Sequence, residues 1–345
     1  MSGNVSKYIG HNQWDGLNFV NFYNKVVSGD YEKVILFCQN EWEWHAQPDL
    51  ELFNNLLSFC KSRNQPLYVI SGSAELHYPA QVENTEVLWW STYWIGKTLG
   101  ALYNSNQGQK LSIDPYEHVD YKYHYISMNN RPHAHRCLLI DLLAKNNLLE
   151  HGAVSMHGTP VIYTYRYFDG RPLILESEFS EDKNQYRIVD QYYESFAQLI
   201  SESSASTIIL SEKTAIPLLL GKPFLVASQM HYHKFLKSLG FELYEELFDY
   251  SFDDEPDEEK RYEMLLENFK KLIKVNKQDL YILRMRIANK VAFNKKHARA
   301  LAYDKSLYPK IAVEAINWYE DTGNILDQHT IADYENLKSC RDYEI

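Results

Sequence analysis

The sequence predicts an α/β protein in which parallel sheets are flanked by helices. Short apolar runs of strand type alternate with amphipathic helical patterns in the first third of the chain, and a second such cycle begins near residue 123. The length of 345 residues exceeds what one hydrophobic core usually holds. We therefore expect two domains, although a single large domain is also compatible with this length.

Both cycles follow the order strand, helix, strand. In the first cycle the apolar patterns predict a strand at 34–37, a helix at 50–60, a strand at 67–70 and a further buried run at 87–90. In the second, they predict strands at 123–128, 207–210 and 223–226, a helix at 135–149, a helix from 212 and a helix that Gly240 ends. From residue 258 the chain is predicted to be helical nearly to its end.

The polar segment 103–116 is the best candidate for a linker between two domains. We therefore expect an N-terminal lobe at 1–118 and a C-terminal lobe at 119–308. A last helical segment, 309–345, is expected to return to the first lobe.

Composition and charge limit the classes of protein to consider. Apolar residues make up 45% of the chain, which suits a globular protein, and no apolar run reaches the roughly 18 residues that span a bilayer. We expect no membrane partner. The absence of a signal-like N-terminus and four widely spaced cysteines predict a cytoplasmic protein with reduced thiols and no structural zinc. The net charge of −11 argues against coating of nucleic acid by charge alone.

The segment Ser211-Glu212-Lys213-Thr214 follows an apolar run and opens a predicted helix. Ligands of open α/β sheets bind outside the carboxyl ends of strands, and helix N-termini attract phosphate. Glu212 could accept hydrogen bonds from ribose hydroxyls, Lys213 could neutralise a pyrophosphate, and the two hydroxyls could add donors. The alternative is a helix capped by Ser211 with a surface ion pair.

A second polar segment follows the predicted strand at 123–128. Its candidate ligand-binding residues are Asn129, Asn130, Arg131 and Arg136. The two arginines could hold a diphosphate leaving group, which develops negative charge as a glycosidic bond breaks, and Asn130 could hold a hydroxyl. The alternative is a turn whose arginines are solvated or paired with Asp141 and Glu150.

These segments together resemble the signature of a glycosyltransferase family that is widespread in bacteriophages and large viruses. Ser-Glu-Lys-Thr at 211–214 is followed by Gly-Lys-Pro-Phe at 221–224 and by His-Lys-Phe-Leu-Lys-Ser-Leu-Gly-Phe at 233–241. The upstream partner, Asn-x-Arg-Pro-x-x-x-Arg, matches 129–136 with one residue of latitude. The adjacent Glu and Lys are also similar to the nucleotide-diphosphate grip of fucosyltransferase-like enzymes.

The resemblance implies a GT-B-like arrangement of two Rossmann-like lobes, with the donor in the C-terminal lobe and the acceptor in the N-terminal lobe. It implies a nucleotide-sugar co-substrate, with a UDP-sugar favoured, and neither cofactor nor catalytic metal. Glu212 would then contact the ribose and Lys213 the phosphate. Asp253-Asp254 is interpreted as a solvated loop rather than a metal-binding motif.

The catalytic base is expected on the N-terminal lobe, in loops after predicted strands. An inverting transfer needs a group that takes the proton of the acceptor hydroxyl. The candidates, in order of preference, are Glu43, Glu75 and Asp15. For each of them, the alternative is a surface residue without a catalytic role.

The best acceptor hypothesis is 5-hydroxymethylcytosine in double-stranded phage DNA, extruded from the duplex. The basic stretch 284–310 would supply phosphate contacts, with Arg284, Lys295, Lys296 and Arg299 as candidates. A glycan, lipid-linked or protein acceptor fits the net charge of −11 more easily. Two non-enzymatic alternatives are a silent nucleotide- or carbohydrate-binding protein and a structural virion component.

Overall fold

The computed structural model of the chain describes residues 6–12, 16–29, 31–38, 47–71, 85–89, 93–102, 120–158, 160–171, 173, 175, 188–205, 208–307, 310–311, 313–314 and 317. These residues form an α/β protein with parallel sheets flanked by helices, as predicted. The chain divides into two compact units, the first formed by Met1–Gly100 with Leu301–Glu344 and the second by Ala101–Ala300 with the terminal Ile345. The lobe boundaries at 118 and 308 stay predictions, and the predicted linker lies outside the described residues.

The first unit contains a four-stranded parallel sheet in the order β1-β2-β3-β4. Its strands are β1 (Ser6–Asn12), β2 (Tyr31–Cys38), β3 (Leu67–Ser71) and β4 (Thr85–Trp89), and the helices along this part of the chain are α1 (Gly16–Ser28), α2 (Gln47–Ser62) and α3 (Tyr93–Leu102). Phe22 of α1 and Phe53 of α2 pack with Val34 of β2 in one apolar cluster. The predicted strands at 34–37 and 67–70 and the predicted helix at 50–60 are confirmed.

The second unit contains another four-stranded parallel sheet, in the order β6-β5-β7-β8. Its strands are β5 (Tyr123–Ser127), β6 (Gly152–Val154), β7 (Ser195–Ser201) and β8 (Phe224–Ala227). After β5 the chain forms β6 on one side of it and then crosses to form β7 on the other side. The direction of strand addition therefore reverses between β5 and β7, and such a point is where open α/β sheets bind ligands.

The helices that follow along the chain are α4 (Ala134–Lys145), α5 (Asp190–Tyr193), α6 (Glu212–Leu220), α7 (Tyr232–Ser238), α8 (Glu258–Leu272), α9 (Leu280–Arg286) and α10 (Ala288–Tyr303). Short 3-10 turns occupy Leu149–His151, Ser251–Asp254, Lys277–Asp279 and Lys305–Leu307. None of the helices in the described ranges combines the length and apolar character that crossing a bilayer requires.

The strand predicted at 207–210 is wrong. Ile208, Ile209 and Leu210 are buried, but only Ile209 forms an isolated bridge, and the strand of the sheet is β7, further upstream. An apolar run can be buried as an extended segment without joining a ladder. The residues at the carboxyl end of this strand are therefore those that follow β7, and not Ser211 as predicted.

Gly221 ends helix α6 in a left-handed conformation with φ of 78°. A Cβ at this position would lie 2.8 Å from Lys295 Cδ and 3.0 Å from Val291 Cγ1. We expect Gly221→Ala to lower the free energy of unfolding by about 2 kcal/mol, from backbone strain and overpacking together. Gly170 also has positive φ, but a Cβ there would meet no atom within 4 Å, so Gly170→Ala should cost only about 1 kcal/mol in urea unfolding. Equal losses would mean that Lys295 moves aside without cost.

Candidate functional site

The two candidate ligand-binding segments, 129–136 and 211–214, lie near the carboxyl ends of β5 and β7. Residues 129–131 follow β5, residues 202–204 follow β7, and the first residues of α6 approach the second of these loops. Arg136 Nη2 donates to the backbone oxygen of Glu202 at 3.2 Å, and Lys213 Nζ donates to Ser203 Oγ at 2.7 Å. The structure thus brings Arg136 and Lys213 to the same loop, at the switch point of the sheet.

Glu202 is the centre of the hydrogen bonds at this edge, with 0% of its surface exposed. Its carboxylate accepts the backbone N–H groups of Ser203 at 2.9 Å and Ser211 at 3.1 Å. It also accepts the hydroxyls of Ser211 and Thr214, the latter at 2.7 Å, and Tyr232 Oη lies 3.1 Å away. One buried carboxylate therefore joins the end of β7 to the first turn of α6 and to α7.

These bonds contradict the prediction that the hydroxyls of Ser211 and Thr214 donate to a nucleotide. Both residues are buried and both hydroxyls donate to Glu202, so neither hydroxyl is available to a ligand in this structure. Ser211 Oγ also accepts the backbone N–H of Lys213 at 3.2 Å, which makes Ser211 the N-cap of α6. The capping interpretation therefore applies to Ser211.

Glu212 and Lys213 form the ion pair that the capping interpretation included, with Nζ and Oε1 at 2.8 Å. The pair is not a solvated surface pair, because the side chains are only 12% and 22% exposed. The Lys213 ammonium donates to Ser203 Oγ as well. Within the described part of the chain these bonds use two of the three N–H donors of the ammonium, which leaves one for an anion.

The positive charges of Arg136 and Lys213 converge at this loop and affect the pKa values of two neighbouring groups. Burial opposes ionisation of Glu212, but the charges of Lys213 and Arg136 hold the pKa of this carboxyl below its usual value. Burial lowers the pKa of His135 to about 4, and the charges of Arg136, His133 and Lys213 act in the same direction. Arg136 and Lys213 are therefore close enough to influence the same two groups.

The alternative interpretation of this segment included a pair of Arg136 with Asp141, and the structure does not have this pair. Its side chain is buried, and besides Glu202 it contacts the backbone oxygen of Arg131 through Nη1 at 3.3 Å. Asp141 instead accepts three backbone N–H groups from residues 166–168. Asn130 and Arg131 are exposed beside the site, where their predicted roles stay predictions.

Asn129 is buried and connects the ends of two strands. Its Nδ2 donates to Ser127 Oγ at 3.1 Å and to the backbone oxygen of Ser155 at 3.1 Å, and its own N–H donates to Ser155 Oγ at 3.0 Å. Its Oδ1 accepts no hydrogen bond from the described part of the chain. A buried acceptor without a donor is uncommon and is a candidate partner for a ligand hydroxyl.

The Gly-Lys-Pro-Phe segment lies away from this edge. Lys222 is fully buried, its Nζ donates to the backbone oxygen of Ser195, and it lies 4.7 Å from the ring centroid of Tyr192. Burial and the charge of Arg284 lower the pKa of Lys222 well below its usual value. Because Ser195 begins β7, Lys222 lies at the amino end of the sheet and supports the fold rather than the candidate site.

The basic stretch is only partly exposed. Arg284 is 4% exposed, so the phosphate contact predicted for it is not available in this structure. It lies on the inward side of α9, where Leu280 is also buried. Lys295 and Arg299 are half-buried, and Lys296 is exposed.

The solvated-loop interpretation of Asp253-Asp254 is wrong for Asp253. Asp253 is buried, accepts the N–H groups of His233 at 3.1 Å and Lys234 at 3.0 Å, and lies 3.0 Å from His233 Nδ1. It thereby anchors the start of α7, whereas Asp254 is exposed. Within the described ranges, no group of His, Cys, Asp and Glu side chains is arranged to hold a metal ion.

The three candidates for the catalytic base, Glu43, Glu75 and Asp15, lie outside the described residues. Two residues of the site were missed by the sequence reasoning, Glu202 and His135. Glu202 could have been found by the rule applied to Ser211, since it directly follows a buried strand, but β7 itself was not recognised.

The chain matches no protein-family model, no curated protein and no solved structure. What the protein does must therefore be inferred from the residues of the site.

Proposed function

We propose that this protein is a metal-independent glycosyltransferase of the GT-B type, whose second unit binds a nucleoside diphosphate sugar at the carboxyl ends of β5 and β7. The observation that carries the proposal is the convergence of Arg136 and Lys213 on the loop after β7. Two cations at the switch point of a parallel sheet, beside the start of α6, suit a ligand with two phosphates.

In the proposed complex the diphosphate lies against the Lys213 ammonium. Glu212, which pairs with Lys213 at 2.8 Å, is an ionised acceptor at the same place and suits ribose hydroxyls. The unpaired Oδ1 of Asn129 suits one further hydroxyl donor. The roles of Glu212 and Lys213 that the family resemblance implies thus fall on side chains that contact each other.

The chemistry of the proposed transfer is a substitution at the anomeric carbon of the sugar. The acceptor oxygen forms a bond to that carbon, the bond from the carbon to the diphosphate oxygen breaks, and the electron pair leaves with the diphosphate. Lys213 stabilises the charge that develops on this leaving group by contact, and the buried guanidinium of Arg136 does so through its positive charge. The acceptor proton passes to a general base, for which Glu43, Glu75 and Asp15 stay candidates.

For the acceptor we propose 5-hydroxymethylcytosine in double-stranded DNA, on the basis of the resemblance and the basic stretch, where Lys296 is exposed. Incubation with hydroxymethylated duplex and a panel of nucleotide sugars, UDP-sugars first, should yield glycosylated nucleosides by mass spectrometry. If no donor gives a product, a glycan, lipid-linked or protein acceptor takes precedence. If no donor is even hydrolysed, a silent binding protein takes precedence.

Lys213→Met tests the donor site directly. We expect the wild type to bind at least one nucleoside diphosphate in calorimetry, and the variant to bind it about 10- to 100-fold more weakly, because a charged hydrogen bond to phosphate is lost. Lys234→Met is the matched control, since Lys234 pairs with Asp254 on an exposed surface, and it should bind as the wild type does. Unchanged affinity in Lys213→Met would show that the ligand does not bind at this loop.

A further inference from the structure

We infer that Glu202 is a positioning residue that holds the anion-binding side chains of the site in place, an inference that rests on the proposed nucleotide binding. Glu202 is the first residue after β7, at the switch point of the sheet. It contacts both segments that contribute cations to the site, α4 through its backbone oxygen and α6 through its carboxylate, which accepts the hydroxyl of Thr214.

The backbone oxygen of Glu202 fixes the side chains at the start of α4. It accepts Arg136 Nη2 at 3.2 Å and lies 2.9 Å from His135 Nε2. The guanidinium of Arg136 is therefore oriented by the backbone at the end of β7. A shift of this loop would carry Arg136 with it.

The carboxylate of Glu202 fixes the loop that supports Lys213. Its Oε2 accepts the N–H of Ser203, and the Oγ of the same Ser203 accepts Lys213 Nζ at 2.7 Å. Its Oε1 accepts the N–H of Ser211, one residue before α6 begins. Glu202 therefore supports Lys213 in two ways. Through Ser203 it holds the residue that accepts the ammonium, and through Ser211 it holds the start of the helix that carries Lys213.

A carboxylate is the one side-chain group of this size that satisfies both backbone donors. Each oxygen of Glu202 accepts a backbone N–H, at 2.9 Å from Ser203 and 3.1 Å from Ser211, and an ionised carboxylate is an acceptor only. In a glutamine one of the two oxygens becomes an NH2 group, which would face a backbone N–H in either orientation of the amide. Hydroxyls can rotate to adapt, but backbone N–H groups cannot.

The negative charge of Glu202 makes the sign of the effect informative. A buried carboxylate repels a nearby diphosphate, and in a region of low dielectric that repulsion is larger than in water. If Glu202 had no positioning role, Glu202→Gln would remove this repulsion and tighten binding of an anion. If Glu202 positions Arg136 and Lys213, the same substitution weakens binding although it removes a negative charge.

The experiment is calorimetric titration of wild type and Glu202→Gln with uridine diphosphate, with other nucleoside diphosphates if it does not bind, and with inorganic pyrophosphate. We expect Glu202→Gln to bind about tenfold more weakly or worse, since small displacements of charged groups have effects of this size or larger. Affinity equal to or tighter than wild type overturns the inference.

Asp141→Asn is the matched control, because it makes the same chemical change at another fully buried carboxylate that accepts backbone N–H groups. It should lose stability in urea unfolding yet bind as the wild type does. A similar loss of affinity in Asp141→Asn would assign the effect of Glu202→Gln to general destabilisation and overturn the inference.

Thr214→Val keeps the inference testable if Glu202→Gln does not fold. This change removes only the hydroxyl that donates to Glu202 Oε1 at 2.7 Å, and we expect nucleotide binding about threefold weaker. Unchanged binding would then overturn the inference.

If the wild type binds pyrophosphate but no nucleoside diphosphate, the proposed function fails and the same variants test Glu202 with pyrophosphate. If it binds neither, the proposed function fails and this inference fails with it.

Discussion

Replacing Asp141 with alanine should lower the free energy of unfolding by about 3 to 5 kcal/mol, because it leaves several buried donors without an acceptor. Asp141 lies on α4 and is 0% exposed. Its carboxylate accepts the backbone N–H groups of Arg166, Tyr167 and Phe168 at 2.6 to 3.0 Å and the hydroxyl of Tyr163 at 3.2 Å. One side chain of α4 therefore binds four residues of the segment 163–168.

Urea unfolding followed by far-UV circular dichroism measures this loss. Asp169→Ala is the matched control within the same segment, since Asp169 is exposed and bonds only to Arg171 among the residues that the structure describes. An exposed pair of this kind contributes about 0 to 1 kcal/mol. If the two alanine variants lost equal stability, the carboxylate of Asp141 would not be what fixes this segment.

The strands were predictable wherever an apolar run was also part of a ladder. Val34 and Leu67 are buried members of β2 and β3, and periodicity alone identified both strands. Strand β7 was missed because Gln198 interrupts its short apolar run and a serine stands at each of its ends, although every one of its residues is buried. The sequence favours the run at 207–210 instead, because local hydrophobicity predicts burial but does not show which segments pair.

The sequence could indicate which cationic side chain lies at the candidate site, but it could not indicate the partners of the hydroxyls. Lys213 was found because a charged residue at a helix start has a local reason to bind phosphate. The hydroxyls of Ser211 and Thr214 satisfy the same rule, yet both donate to Glu202, which lies nine residues before Ser211. Only the fold brings that carboxylate to them, so no spacing within 211–214 could reveal their partner.

Position in a motif did not predict position in the site either. Gly221 and Lys222 belong to the segment that supported the family resemblance, but Gly221 ends α6 and Lys222 is buried near Ser195. Both residues are explained by backbone conformation and packing. A motif therefore contains residues that shape the fold as well as candidate ligand residues.

His135 should make the protein less stable as the pH falls from about 6.5 to about 4. Burial, together with the positive charges of Arg136, His133 and Lys213, lowers the pKa of His135 to about 4 in the folded protein. In the unfolded chain its pKa is about 6.5, so over this range the unfolded state binds a proton that the folded state does not. Stability is therefore complete above about pH 6.5, and about 2 to 3 kcal/mol is lost by pH 4.

Urea unfolding at a series of pH values, compared between wild type and His135→Gln, isolates this contribution. Glutamine does not titrate and keeps a donor that can reach the backbone oxygen of Glu202, which lies 2.9 Å from His135 Nε2. The variant should therefore lose less stability than the wild type between pH 6.5 and 4. Parallel curves would show that His135 is not the group that titrates.

A bound diphosphate would offset the charges of Arg136 and Lys213, and it should therefore raise the pKa of His135. Nuclear magnetic resonance titration of His135 with and without the diphosphate measures this change. A raised pKa would connect the acid sensitivity to the proposed donor site.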